Sequence, residues 1–218
     1  MQDSVQQRGR VQSAPHLRLL TWQGSDAELL DLVAMNDPGA PARFHDRFGN
    51  DVHALVRALV GPDRAHARLV EKSLLAALRS LYVRNRHGRG SYSRESNAFG
   101  LSVGMLPSWV ERHTVRVVKA HLRRQYWVRR LGGRAPRVES GAPDQVLVFY
   151  ERLAHLVPDV RLAFCLRYVA GRALSDTARL CCCSVSEVRS RLQQAECQLR
   201  TAVEDDFGAD MPEFGWES

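Results

Sequence analysis

No run of about 18 apolar residues occurs in the 218-residue chain, so no membrane-spanning helix and no membrane partner are expected. The opening MQDSVQQRGRVQSAPHLRLL lacks the long apolar stretch of a secretory signal, which leads to the expectation of a cytoplasmic protein. Strand-like alternation of any length is missing, and so are internal repeats. No paired carboxylates, nucleophile motif or phosphate-binding glycine loop appears, so neither an enzyme nor a cofactor is expected. His113 and His121 stand eight apart on one basic helix and read as surface residues rather than ligands. Cysteine is scarce and oddly placed. The five are Cys165, Cys181, Cys182, Cys183 and Cys197, an odd number that suits no disulfide framework. They also lack the paired C-x-x-C spacing of a zinc site, so no metal is expected and the contiguous three read as packing in a crowded turn.

What remains is basic and helical. Lys and Arg outnumber Asp and Glu by 31 to 24, which favours a polyanionic partner. The expected fold is all-α, with two small helical domains joined by a flexible linker. Residues 1–24 read as a mobile arm and 25–131 as the first domain. Residues 132–143, with Gly132-Gly133 and two prolines, read as the linker. Residues 144–204 read as the second domain and 205–218 as an acidic tail.

In the first domain, Ser25 and Glu28 form a capping box that opens a helix carrying Leu29, Leu30 and Val33. Phe44, Phe48, Val52, Leu55, Val56 and Leu59 recur at helical steps up to the breaker Gly61-Pro62. A third helix carries Val70, Leu74, Ala77, Leu78 and Leu81 on one stripe. Arg84–Gly100 reads as a long exposed loop. The next helix starts at Pro107 or Ser108 and is strongly basic: from Pro107 to Arg137 nine Lys or Arg residues face one acid, Glu111. Together with Tyr126 and Trp127 this points to nucleic acid, the alternative being a solvated face. Trp109 reads as core.

In the second domain, Val146, Phe149 and Leu153 are expected to face inward from one helix, and Val160, Phe164 and Tyr168 from the next, which Gly171 closes. Ser175 is expected to cap a short helix and Ser184 the last one, with Glu187 completing a second capping box. Val185, Val188, Leu192, Ala195 and Leu199 share one face of the last helix, while Ser186, Ser190, Gln193 and Gln194 share the other, flanked by Arg189 and Arg191. A helix-turn-helix has this arrangement, and so does an ordinary amphipathic surface helix.

Longer stretches add a resemblance. VPDVRLAFCLRYVAGRALSDTARLCCCSVSEVRSRLQQAECQLR resembles the C-terminal promoter-binding domain of bacterial RNA polymerase sigma factors of the extracytoplasmic-function (ECF) group of the sigma-70 family. The matching features are Pro158, Leu166-Arg167-Tyr168-Val169-Ala170-Gly171, Asp176-Thr177-Ala178, and Ser184 through Leu192. Cys182 stands where the family usually has glycine, Thr177 where it has an aliphatic residue, and Glu187 where it has threonine. Upstream, SDAELLDLVAMNDPGAPARFHDRFGNDVHALVRALVG resembles the first helices of the family's core-binding domain, and PSWVERHTVRVVKAHLRRQYW its basic helix. In RAHARLVEKSLLAALRSL, where the family grips polymerase, Arg68 and Glu71 replace the usual acid and glutamine, and Leu74 an aromatic.

The resemblance implies a sigma factor that binds core RNA polymerase and promoter DNA and answers to an anti-sigma factor. It implies polymerase contacts at Arg68, Glu71, Leu74 and Leu78. The −10 element and melted strand would meet Arg89, Tyr92, Arg94, Arg116, Lys119, Arg123, Arg124, Trp127 and Arg130. The −35 element would meet Arg172, Ser184, Ser186, Glu187, Arg189, Ser190, Arg191 and Gln194. Two alternatives stay open: a sigma-like adaptor that does not direct initiation, and a plain helix-turn-helix regulator.

Overall fold

The computed structural model describes residues 23–88, 103–132 and 143–207. Among the described residues there is no strand, and the fold is all-α. Residues 133–142, the interior of the expected linker, lie outside the described residues, as do the arm before Gln23 and the tail after Phe207.

Helices α1 (Asp26–Ala34), α2 (Ala40–Val60), α3 (His66–Gly88) and α4 (Leu106–Arg130) form the N-terminal bundle. The capping box opens α1: the Ser25 hydroxyl accepts the Glu28 N–H at 3.2 Å, and the Glu28 carboxylate accepts the Ser25 N–H at 2.8 Å. Asn85, buried on α3, donates to the Ala34 carbonyl at 3.1 Å and satisfies a group that the end of α1 leaves open. The helical stripe on α2 is buried from Phe44 to Leu59, as its spacing predicts. Thr114, also buried, returns its hydroxyl to the Val110 carbonyl of α4 at 3.0 Å.

The C-terminal half holds α5 (Asp144–Leu153), α6 (Pro158–Phe164), α7 (Leu174–Cys181) and α8 (Val185–Phe207). Between α6 and α7 the chain widens into a π turn, Cys165–Val169, closed by the Ala170 N–H on the Cys165 carbonyl at 2.8 Å. The wider turn shifts the register of the side chains that follow. That is why Tyr168, expected inward with Val160 and Phe164, is 46% exposed. Gly171 ends the segment at φ +65°, in the left-handed region that glycine enters without a Cβ penalty.

Three further expectations are corrected. Val146 and Phe149 are exposed, and of the expected α5 stripe only Leu153 is buried, because α5 meets its neighbours through its C-terminal end. Helix α7 begins at Leu174, so Ser175 lies inside it; Ala173 is its N-cap, and Thr177 returns its hydroxyl to the Ala173 carbonyl at 2.9 Å. Ser184 does cap α8 through the Glu187 N–H at 3.2 Å, but the Glu187 carboxylate turns to Arg191.

The cysteine run is the turn between α7 and α8. Cys181 is buried, Cys183 half-buried, and Cys182 is exposed in the left-handed conformation, φ 55° and ψ 48°. Glycine is favoured there because a Cβ crowds the following carbonyl. Burial pushes the Cys165 thiol up to about 11. Burial, followed by Cys183, pushes Cys181 up to about 12. Both stay protonated at neutral pH, as small apolar side chains in a packed turn do. Among the described residues no three His, Cys, Asp or Glu side chains are grouped to hold a metal. Cys181→Ser should therefore destabilise the protein by about 1–3 kcal/mol, because a hydroxyl replaces an apolar group in a packed turn. Cys182→Ser should be near neutral. Urea unfolding of the two variants distinguishes them, and equal losses would contradict the packing role.

Candidate nucleic-acid interface

Helix α8 is held from beneath by Val188, Leu192 and Ala195, all buried, while Ala178 of α7, also buried, allows the close crossing. Its outer face then presents Ser186, Glu187, Arg189, Ser190, Gln193 and Gln194, all exposed. The Ser184 and Ser186 hydroxyls lie 2.9 Å apart at the helix start. Arg191 is half-buried and tied to Glu187 one turn away, which removes it from the outward row. Arg189 makes no ion pair among the described residues. The first turns of the helix thus offer short polar side chains and, among the described residues, the unpaired guanidinium of Arg189.

The second basic surface is α4. Arg116 and Arg124 are exposed, Trp127 is 59% exposed, and the Arg130 guanidinium lies 5.4 Å from the Tyr126 ring centroid. Lys119 and Arg123 are engaged instead. Their nitrogens meet the two oxygens of Asp159, at the start of α6, at 2.6 and 3.2 Å. Burial alone would raise the Asp159 carboxyl, but the bonds from Lys119 and Arg123 outweigh it and hold the group below the usual carboxylate range. Arg172, expected to meet phosphate, instead meets Glu111 of α4 at 2.7 Å, and Arg179 reaches the same carboxylate at 3.5 Å. Arg89, Tyr92 and Arg94 lie outside the described residues.

The two halves are joined by more than these pairs. The last four carbonyls of α2 have no helical partner of their own beyond the Gly61 N–H on Arg57. The Tyr150 hydroxyl lies 3.1 and 3.3 Å from the Ala58 and Arg57 carbonyls. The guanidinium of Arg161, 5% exposed, donates to the Val60 and Leu59 carbonyls at 3.3 and 3.5 Å. Nearby, Asp63 accepts from Gln125 at 2.7 Å and pairs with His121 at 3.1 Å, anchoring α4 to the α2–α3 turn. Burial would raise that carboxyl too, but the bonds from His121, the Ala65 N–H and Gln125 lower it. Between α2, α4 and α7 lies an open groove of about 730 Å³, with Asp51, Glu111, Arg172, Asp176 and Arg179 in its wall.

On α3, Arg68 and Glu71 are exposed, whereas Leu74 and Leu78 are buried and belong to the core. Leu75, 40% exposed, is the leucine one turn from Glu71 on the outer face. No chemical motif in the sequence marks Asp159, Glu111 or Arg161. The only signals were the isolation of Glu111 in a basic helix and the Pro158-Asp159 helix start.

No protein-family model and no curated protein matches the sequence. Among solved structures, the chain is similar to CnrH, an ECF sigma factor, in the structure of CnrH in complex with the cytosolic domain of CnrY. The TM-score is 0.52 at 17% identity, over 84% of this chain and 99% of that one. The likeness is one of fold, which is all-α.

Proposed function

We propose that the protein is a sigma factor that binds core RNA polymerase and directs initiation at promoters read through their −35 and −10 elements. One observation carries this reading: α8, entered from α7 through a left-handed turn, exposes Ser186, Arg189, Ser190 and Gln194 along one face. Short polar side chains and a free guanidinium suit base edges in the major groove. Helix α4 supplies the second surface, on which Arg116 and Arg124 meet phosphates and Trp127 stacks on an unpaired base of the melted strand. Arg68, Glu71 and Leu75 on the outer face of α3 meet polymerase. An anti-sigma protein is the regulatory partner, the place of action is the cytoplasm, and the role is not enzymatic.

Pull-down of core polymerase followed by run-off transcription on genomic fragments tests the proposal. Binding with promoter-specific transcripts is the expected result. Binding without transcripts would favour the sigma-like adaptor, which the exchange of an acid and a glutamine for Arg68 and Glu71 supports. A failure to bind polymerase would leave a plain helix-turn-helix regulator.

A further inference from the structure

The ion pairs between the halves are reciprocal. Helix α4 offers two cations to the one carboxylate of Asp159, and its only acid, Glu111, to two cations of the C-terminal half. Lys119 and Arg123 stand one turn apart, and each takes a different oxygen of the same carboxylate. A backbone phosphate presents its two free oxygens in the same way and carries the same charge. We propose that Lys119 and Arg123 form a DNA phosphate site that Asp159 occupies in this closed arrangement, so that the C-terminal half competes with DNA for α4. Glu111 plays the converse part, holding Arg172 away from the phosphates it would otherwise meet. The inference rests on the reading of α4 as a nucleic-acid surface.

The Arg123 and Arg172 ion pairs are built to be exchangeable. The halves also share buried apolar contacts and the Tyr150 and Arg161 bonds to the end of α2, whereas the Arg123 pair is more than half exposed on its cationic side. A partly solvated ion pair is weak and screened by salt, so a polyanion that offers several phosphates at once can displace it. Closure withdraws Lys119, Arg123 and Arg172 together, leaving Arg116, Arg124 and Arg189 for the first encounter. Opening then adds three phosphate contacts in one step.

The test uses the full chain without polymerase, comparing wild type with the double variant Asp159→Asn and Glu111→Gln. Both changes keep size and polarity, and circular dichroism verifies that the helices are retained. X-ray scattering reads opening, and titration with a short DNA duplex at low salt reads phosphate access. The double variant should expand and bind the duplex about tenfold more tightly, as expected when a minor open state becomes dominant. No expansion and no gain would overturn the latch. Expansion without gain would overturn the competition. Arg124→Ala, made in both backgrounds, then separates the causes: if it also leaves duplex affinity unchanged, it is the reading of α4 as a DNA surface that has failed.

Discussion

Gly61→Ala should destabilise the protein by about 4 kcal/mol, the sum of two penalties at one position. The first is conformational. Gly61 sits at φ +75° and ψ −151°, a region essentially closed to residues with a Cβ, at about 1–3 kcal/mol. The second is steric. An added Cβ would lie 2.5 and 2.6 Å from Cδ1 and Cδ2 of Tyr150, far inside contact distance. The Tyr150 ring cannot simply swing away, because its hydroxyl bonds to the Arg57 and Ala58 carbonyls at the end of α2. Overpacking of this kind costs roughly 1–3 kcal/mol. The two parts separate in the Tyr150→Ala background. There Gly61→Ala should keep the backbone penalty and lose the steric one, a coupling of about 1–3 kcal/mol by urea unfolding. Additive losses would mean that Tyr150 does not pack on Gly61 in solution.

The same corner marks where the sequence stops being legible. Gly61-Pro62 announces the end of α2 and the phenylalanines and leucines before it announce the buried face, because both are local consequences of chain geometry. That Tyr150 would rest on Gly61, and Arg161 close the Leu59 and Val60 carbonyls, follows from how two separate helical units dock. No period within either unit encodes it. The exposure of Tyr168 is hidden for a different reason: an i to i+3/i+4 pattern assumes an unbroken α-helix, and one π turn defeats it. In the candidate interface, α8 was legible because one helix carries both its buried and its exposed face. Lys119, Arg123 and Arg172 were legible as cations but not as partners, since Asp159 lies 36 residues from Arg123 in sequence.

The sharpest functional prediction separates the two surfaces by what each can read. Helix α4 is dense in charge and poor in short polar side chains, so its free cations should act through phosphates. Arg124, exposed and outside the Asp159 pair, is the position to test, because an Arg123 variant would also disturb the contact between the halves. Arg124→Ala in holoenzyme should weaken binding to all promoters alike and lower the salt slope by roughly one unit, the signature of one lost phosphate contact. Arg189 stands instead between Ser186 and Ser190 on the exposed face of α8, with no ion pair among the described residues to orient it elsewhere. Arg189→Ala should cost roughly 1–3 kcal/mol at a promoter whose −35 guanine it reads, and far less once that element is scrambled. Binding measured across a salt series on matched and −35-scrambled promoters decides between them. An Arg189 variant that loses the same affinity on both reduces α8 to a phosphate contact. Scrambling should abolish its loss if Arg189 reads a base, because only then does its contribution depend on which base stands in the groove.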